Sequence, residues 1–346
     1  MRLAVEPQRL RLRTPLETAW GRLETRELLR VTLTDRDGLA GVGEAAPLEP
    51  YDGVSPVAVR AALDAYAAVL AAAPPGAGPD ELVARCARER PLPQALAAID
   101  LALWDLEGRR AGAPVHALLH PRAAAAIPVN ATIGATDRAG AAAQAAEAVA
   151  RGFRAIKLKV GTGDDPGRVA AVRAAAGHRV LLRVDANGAW QSTEEAVANL
   201  RALAPAGLEL AEEPVHGVAA LRELRAVSPV AVAMDETGAE PGAVGSGAAD
   251  AVCLKISRSG GIGGLLRDAA AARAAGSAVY VASTFDGPLG IAAGLHAAAA
   301  LAADGPLAPC GLATAGAFTG VADPFPLHEG ALTAPDGPGL LSGARG

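Results

Sequence analysis

Lysine is rare in this 346-residue chain, and its positions indicate chemistry. The chain contains three lysines, Lys157, Lys159 and Lys255, and its other non-histidine basic residues are arginines. Both side chains supply surface charge, but arginine stays protonated in proteins, whereas a lysine can lose its proton when its surroundings lower its pKa. A chain that uses arginine wherever charge suffices is therefore expected to keep lysine where a proton must leave. The sequence predicts a lysine base.

Acidic residues end the predicted strands that lie between those carrying the lysines. The strand ends read Lys157-Leu-Lys159, Asp185-Ala-Asn187, Glu212-Glu213-Pro214, Asp235-Glu236 and Lys255. Converging carboxylates repel one another unless a divalent cation lies between them. Oxygen ligands without a histidine cluster favour Mg²⁺, with Mn²⁺ as a substitute, over zinc. Such an ion would hold a substrate carboxylate while a nearby lysine removes the adjacent proton, which predicts proton abstraction α to a carboxylate.

The elements that must position these residues are short apolar strands alternating with alanine-rich helices after Pro121. This rhythm is typical of βα units and a parallel sheet, and eight strands in succession favour a (β/α)8-type barrel. The catalytic groups of such barrels lie at the carboxyl ends of the strands. No glycine-rich dinucleotide or phosphate-loop motif follows the first strands. The predicted strands span 127–133, 155–160, 180–184, 208–211, 230–234, 251–256, 278–282 and 307–310.

The N-terminal third has a different pattern. Short alternating strands are predicted over 9–13, 27–34 and 39–44, with an Asp-Gly turn before the last of them, and helical spacing is present over 57–70 and 92–106. Residues 15–25, which include Trp20, are predicted to form an exposed loop. We therefore expect an α+β domain over residues 1–120, completed by the tail 319–346, and a barrel over 121–318.

Composition limits the partners. The chain has 37 acidic and 32 basic residues, a formal net charge of −5, and no dense run of basic residues, so nucleic acid is not expected as a partner. The three cysteines are widely spaced, which favours a reducing compartment over a disulfide framework. Neither a signal peptide nor about 18 consecutive apolar residues is present, so we expect a cytoplasmic protein without a membrane partner.

The motifs together resemble the enolase superfamily, in its muconate-lactonizing subgroup. The resemblance covers nearly the whole chain, and it implies a capping α+β domain over a modified (β/α)7β barrel, a small carboxylate substrate and frequent self-association. The segments that carry it, besides the strand ends given above, are Gly41-Val-Gly-Glu-Ala-Ala-Pro47 and Ile99-Asp-Leu-Ala-Leu-Trp-Asp-Leu106.

When the metal ligands of the family are carried over by position, the resemblance implies that Asp185, Glu212 and Asp235 bind Mg²⁺. It implies Lys159 as the base and Lys255 as the lysine facing it. Lys157 is implied as a supporting catalytic residue, and Asn187 and Glu236 as neighbours of the metal ligands. The predicted substrate contacts come from the capping loop and from the last two strand ends, and they are Trp20, Arg26, Ser283, Asp286 and Gly311.

Three activities of the subgroup use these residues: o-succinylbenzoate synthesis, racemisation or epimerisation of N-acylamino acids or dipeptides, and cycloisomerisation. The segments Ala282–Gly294 and Cys310–Thr314 resemble o-succinylbenzoate synthases of high-GC bacteria, which dehydrate a cyclohexadiene carboxylate in menaquinone synthesis. The Asp-x-Asp with which dipeptide epimerases typically hold the substrate ammonium is absent after the eighth strand. A lyase of the first kind is therefore favoured. The alternatives are the racemase or epimerase, the cycloisomerase and a non-catalytic binding barrel.

Overall fold

The structure of the protein, a computed structural model, describes residues 1–18, 21–74 and 76–341. The N-terminal part consists of three antiparallel strands followed by helices. The strands are β1 (Arg2–Thr18), β2 (Gly21–Thr34) and β3 (Ala40–Ala45). The helices are α1 (Glu49–Asp52), α2 (Pro56–Ala71), α3 (Pro79–Glu89), α4 (Pro93–Ala111) and α5 (Val115–Leu119). The predicted helices correspond to α2 and α4, and α3 has no counterpart among the predicted elements.

Strands β1 and β2 form one long hairpin, and the predicted Asp-Gly turn connects β2 to β3. Asp35 Oδ1 accepts hydrogen bonds from the backbone N–H groups of Asp37 and Leu39, both at 2.9 Å, which closes the turn. The predicted loop over 15–25 is wrong for its described residues, because the strands continue through it and Leu16 pairs with Leu23. Trp20 lies outside the described residues.

The glycines of the Gly41-Val-Gly43 motif allow β3 to pack directly on α4. A Cβ atom on Gly43 would lie 2.1 Å from the carbonyl oxygen of Ala98, and one on Gly41 would lie 2.1 Å from that of Ala102. Backbone atoms at this distance cannot yield without separating the two elements. The glycines therefore determine how closely the sheet approaches this helix.

A Gly43→Ala variant is expected to lose about 3 kcal/mol of unfolding free energy, because the added methyl group forces β3 away from α4. Urea unfolding monitored by circular dichroism measures the loss. Gly78→Ala is the matched control: no atom lies within 4 Å of a Cβ at Gly78. The control should lose less than about 1 kcal/mol, because Gly78 is the N-cap of α3, where alanine is only somewhat less favourable than glycine. Equal stability of the two variants would contradict the packing argument.

The remainder of the chain alternates strands and helices, as predicted. The strands are β4 (Ala126–Pro128), β5 (Ala131–Ile133), β6 (Ala155–Lys159), β7 (Leu181–Asp185), β8 (Leu208–Glu212), β9 (Val232–Met234), β10 (Ala251–Leu254) and β11 (Ala278–Val281). The helices are α6 (Arg138–Ala150), α7 (Asp165–Ala176), α8 (Thr193–Leu203), α9 (Val218–Val227), α10 (Ile256–Ser259), α11 (Ile262–Ala274) and α12 (Pro288–Ala303). Three 3-10 turns lie at Ala204–Ala206, Glu236–Ala239 and Ala315–Ala317.

Seven parallel strands, β5 to β11, pair in chain order to form a curled sheet. Their interior is filled mainly by Val, Leu, Ile and Ala side chains, which form one continuous core with the surrounding helices. The predicted fold class, a modified (β/α)7β barrel with an N-terminal α+β domain, is confirmed.

The eighth predicted strand, over 307–310, is wrong in its extent. In this described segment, Cys310 and Gly311 form isolated bridges with Val129 and Ala282, which precede β5 and follow β11, and the Ala308 N–H donates to the carbonyl of Val279 at 3.4 Å. Pro309 has no N–H group to donate, so a longer ladder cannot form here. The first predicted strand is likewise divided into β4 and β5.

The last part of the chain returns to both earlier parts. Strand β12 (Phe318–Thr319) pairs with β1, and β13 (Ala331–Thr333) pairs with β4. Asp105 of α4 joins the two regions, because its carboxylate accepts hydrogen bonds from the backbone N–H of Val42 and of Leu340, each at 2.8 Å. Within the described residues, none of the helices has the length and hydropathy required to cross a membrane.

Candidate active site

The predicted strand-end residues meet at the carboxyl end of the barrel. In the parallel ladder, Lys159 lies opposite Asp185, and Asp185 lies opposite Glu212. Lys157 is on the same face of β6 as Lys159, since side chains two apart on a strand share a face. Its Nζ donates to Glu212 Oε1 at 2.8 Å and lies 2.9 Å from Asp185 Oδ2. Lys157 therefore joins two of the three predicted metal ligands.

Lys159 connects the cluster to the neighbouring polar residues. Its Nζ donates to Asp185 Oδ2 and to Asn187 Oδ1, both at 2.6 Å. Asn187 has a φ of 45°, a left-handed conformation that asparagine tolerates better than most residues. Its Nδ2 donates to Glu236 Oε1 at 2.7 Å, and the other oxygen of Glu236 is buried without a hydrogen-bond partner. The predicted neighbours thus link β7 to β9.

Asp235 is the centre of a second group of charges. Lys255 Nζ donates to its Oδ2 at 2.6 Å, and Arg258 Nη1 donates to its Oδ1 at 2.9 Å. Tyr51, which comes from α1 of the N-terminal part, donates its hydroxyl to Asp235 Oδ2 at 2.9 Å. Lys255 Nζ lies 4.4 Å from the centre of the Tyr51 ring. Arg258 is absent from the predicted site; it lies in the short helix α10 that begins directly after Lys255.

These contacts govern the charge of the carboxylates. Burial alone would raise the pKa of Asp185, but Lys157 and Lys159 hold it well below its usual value. Burial would also raise the pKa of Asp235, but the adjacent Lys255 and Arg258 hold it well below its usual value. Burial and then the charge of Asp185 raise the pKa of Glu212. At least two of the three carboxylates therefore remain ionised.

The donor set fits a hard divalent cation. The chain offers carboxylate oxygens from three neighbouring strand ends, all almost completely buried. Among the described residues, ligand atoms of Glu212, Asp235 and Cys253 lie within 4.8 Å of one another. Burial raises the pKa of the Cys253 thiol well above its usual value, which opposes the thiolate form that binds metals. The Cys253 thiol is therefore a poor ligand for Mg²⁺, while Asp185, the third predicted ligand, is not part of this group and contacts Lys157 and Lys159.

Glu213 supports the site from outside the cluster. It has a φ of 39°, and its Oε2 accepts from the backbone N–H of Asp235 at 2.6 Å. Its Oε1 accepts from the backbone N–H of Thr237 at 2.9 Å. The carboxylate thus points away from the lysines and orients the segment that carries Asp235. Of the two adjacent glutamates, Glu212 is the one that faces the lysines.

A cavity of about 80 Å³ lies over the lysine and carboxylate cluster. Residues from both parts of the chain form its walls. A larger cleft of about 680 Å³ lies on the other side of Tyr51 and Arg258, and none of the three lysines lines it. The cavity is lined by Leu48, Tyr51, Thr132, Lys157, Lys159, Asp185, Asn187, Asp235, Lys255, Ala282, Ser283, Thr284, Phe285, Gly311 and Thr314.

The predicted substrate contacts divide into two groups. Ser283 and Gly311 line the cavity, and the Ser283 hydroxyl is 2.8 Å from that of Thr314. Arg26 and Asp286, which are also predicted contacts, are not among the lining residues. The Arg26 guanidinium is buried against the carbonyls of Ala46 and Pro47, at 3.0 and 2.7 Å. Trp20 lies outside the described residues.

The Asp286 carboxylate is hydrogen-bonded within its own turn. Its Oδ1 accepts from the Thr284 hydroxyl at 2.7 Å, and Phe285 between them has a φ of 56°. The Phe285 carbonyl accepts from Arg26 Nε at 3.2 Å. These bonds hold a bulky residue in a left-handed conformation, and Phe285 itself lines the cavity. The polar residues of this turn thus position an apolar wall.

Two family models match the chain. The model described as mandelate racemase / muconate lactonizing enzyme, N-terminal domain, matches residues 1–120, and the model described as enolase C-terminal domain-like matches residues 140–341. The chain therefore belongs to the enolase superfamily. Enzymes of this superfamily use Mg²⁺.

The chain is similar to relatives with several activities. It is 33% identical over 335 residues to muconate cycloisomerase 1-1 of Acinetobacter lwoffii, covering 92% of this chain and 86% of that protein. It is 43% identical over 227 residues to o-succinylbenzoate synthase of Mycobacterium tuberculosis, covering 61% of this chain and 66% of that protein. The dipeptide epimerase of Enterococcus faecalis, solved with Mg and L-Leu-L-Tyr, superposes with a TM-score of 0.86 at 26% identity, covering 98% of both chains.

Proposed function

We propose that this chain catalyses the Mg²⁺-dependent dehydration of 2-succinyl-6-hydroxy-2,4-cyclohexadiene-1-carboxylate to o-succinylbenzoate, a step of menaquinone synthesis. The observation that carries the proposal is that Lys159 and Lys255, four strands apart in the curled sheet, line one cavity beside the carboxylate cluster. Two lysines in this arrangement suit the removal of a proton α to a carboxylate.

Asp185, Glu212 and Asp235 would hold Mg²⁺, which when bound would supply positive charge for a substrate carboxylate and for the enediolate that it becomes. The lysines then have separate tasks. Lys159 Nζ takes the α-proton, and the electron pair of the broken C–H bond enters the carboxylate to give the enediolate. That pair then forms the ring double bond as the C–O bond on the neighbouring carbon breaks, and the hydroxyl leaves as water with the proton that Lys159 returns. Lys255, beside Asp235 and the Tyr51 ring, stabilises the developing negative charge as a cation.

The wall of the cavity at the last two strands favours this substrate over a dipeptide. Among the described lining residues, Ala282, Ser283, Thr284, Gly311 and Thr314 provide hydroxyl and backbone groups on this side, but no carboxylate for a substrate ammonium. Hydroxyl groups can donate hydrogen bonds to the oxygens of a succinyl tail. The 43% identity to the mycobacterial o-succinylbenzoate synthase supports the same choice.

A second candidate is racemisation of an N-acylamino acid. The same two lysines line the cavity and would then act as opposed bases that remove the α-proton from one face and return it to the other. Cycloisomerisation, the activity of the Acinetobacter relative, would also use an enolate at this site. Each of the three reactions passes through an enolate of its own substrate, and they differ in how that enolate reacts.

The test is a turnover assay of the purified chain with Mg²⁺ in D₂O. The substrates are the cyclohexadiene carboxylate, N-succinyl amino acids, L-Ala-L-Glu and cis,cis-muconate. Dehydration that is much faster than α-deuteration of the amino acid derivatives is the expected result. Rapid α-exchange without dehydration would replace the proposal by the racemase, and lactone formation would replace it by the cycloisomerase. No lysine-dependent turnover of any substrate would indicate a binding protein.

A further inference from the structure

Beneath the cluster, the barrel interior contains a buried polar layer. Arg183 of β7 is fully buried two residues before Asp185. Its guanidinium donates to both oxygens of Glu209, at 2.7 and 3.1 Å, and to the carbonyl of Pro309 at 2.6 Å. Glu209 can reach Arg183 because β8 contains an irregularity at this point, where Leu182 pairs with Leu208 but Arg183 pairs with Leu210. Three hydrogen bonds, two to Glu209 and one to the Pro309 carbonyl, therefore fix the Arg183 guanidinium.

Tyr280 of β11 connects this layer to the candidate metal ligands. Its ring centre lies 5.1 Å from the Arg183 guanidinium carbon, close enough for a cation–π contact. Its hydroxyl donates to Glu212 Oε2 at 2.7 Å across the barrel.

Both oxygens of Glu212 are consequently engaged. Oε1 accepts from Lys157 at 2.8 Å and Oε2 accepts from Tyr280 at 2.7 Å, and Glu212 is fully buried. A carboxylate with one fixed donor on each oxygen cannot rotate freely, and each oxygen retains a lone pair for another partner. Groups that orient a ligand in this way contribute strongly to metal affinity.

We propose that Tyr280 is a positioning residue, which orients the Glu212 carboxylate for a divalent cation while Arg183 fixes the tyrosine ring from below. This inference rests on the metal centre of the proposed function. It concerns a residue of the seventh strand that lies outside the cavity lining and outside the predicted site. It also assigns a task to the fully buried Arg183 and to its partner Glu209, which is partly exposed.

The test measures binding of Mn²⁺ alone to the full chain, by the electron paramagnetic resonance signal of the free ion. In Tyr280→Phe we expect the dissociation constant to increase about 10- to 100-fold, the usual effect of losing such a partner. Phenylalanine keeps the ring above Arg183, so the variant should fold, and metal-free thermal unfolding checks this. Tyr66→Phe is the matched control. It removes a buried tyrosine hydroxyl that donates to the Arg90 carbonyl in the N-terminal part, and it should bind as the wild type does.

A double-mutant cycle separates positioning from general stability. If Tyr280 acts through Glu212, adding Tyr280→Phe to Glu212→Gln should weaken Mn²⁺ binding little further. Wild-type affinity in Tyr280→Phe, or an equal loss in both backgrounds, would overturn the inference, as would a loss of metal-free stability alone. A wild-type chain that binds no Mn²⁺ would overturn the metal centre and this inference together, a pattern distinct from a failure of Tyr280 alone.

Discussion

Replacing Lys159 by arginine is expected to lower kcat about 10²- to 10⁴-fold, the usual contribution of a general base. Arginine retains the positive charge that contacts Asp185 and Asn187, but it does not release its proton in proteins. The variant therefore removes the proton acceptor while it preserves the charge. Steady-state turnover with Mg²⁺, together with deuterium incorporation at the α-carbon in D₂O, measures the loss.

The matched control is the reverse substitution, arginine to lysine, at an exposed position where the side chain supplies only charge. Arg60 is exposed on α2 and pairs with Asp64 at 2.9 Å, so Arg60→Lys should leave kcat unchanged. Lys159→Arg should still fold and still be stabilised by Mg²⁺, which thermal unfolding with and without the ion would establish. If Lys159→Arg turned over at the wild-type rate, the base would have to be another residue.

The placement of the lysines and acids could be predicted because it follows from strand topology. Parallel strands that pair in order bring their carboxyl ends to one edge, so residues such as Lys159, Asp185 and Glu212 become neighbours whatever the helices between them contain. The scarcity of lysine indicated which basic residues belong to the candidate site. Two sequence properties, periodicity and residue choice, were thus enough to locate the candidate site.

The contacts that cross between elements could not be predicted in the same way. Arg26 and Asp286 are charged residues near the site, but the sequence does not show whether such a residue faces a cavity or satisfies buried backbone carbonyls. Arg26 does the latter, through Ala46 and Pro47. Tyr280 presents the opposite case, because its strand is uniformly apolar in sequence and only the closed barrel brings its hydroxyl to Glu212.

Tyr51 shows how the N-terminal part contributes to chemistry in the barrel. It contacts Asp235 and Lys255, which lie on strands of the other part, and it lines the same cavity. The tyrosine ring covers Lys255 and separates the cavity from the larger cleft beside Arg258. The N-terminal part therefore supplies one wall of the candidate site.

Replacing Asp235 by asparagine is expected to abolish turnover and most of the stabilisation that Mg²⁺ gives to the fold. At 100 times its dissociation constant, an ion bound only by the folded state raises the unfolding free energy by about 2.7 kcal/mol. Asparagine offers a neutral oxygen, and it leaves Lys255 and Arg258, which contact Asp235 at 2.6 and 2.9 Å, without their carboxylate. Because a buried pair broken in this way costs about 3–5 kcal/mol, the metal-free variant should also be less stable than the wild type.

Comparing the variant with and without Mg²⁺ separates these two losses, since the broken ion pairs are common to both conditions. Denaturant unfolding at several Mg²⁺ concentrations gives the stabilisation as a function of the ion. Asp64→Asn, a change of the same chemistry at an exposed carboxylate of α2, should keep the full response to Mg²⁺. A normal response in Asp235→Asn would mean that the ion is held by other residues. Because Asp235 also pairs with Lys255, Asp235→Asn could lose turnover without any change in metal binding. Loss of the stabilisation by Mg²⁺ is therefore the result that supports Asp235 as a metal ligand.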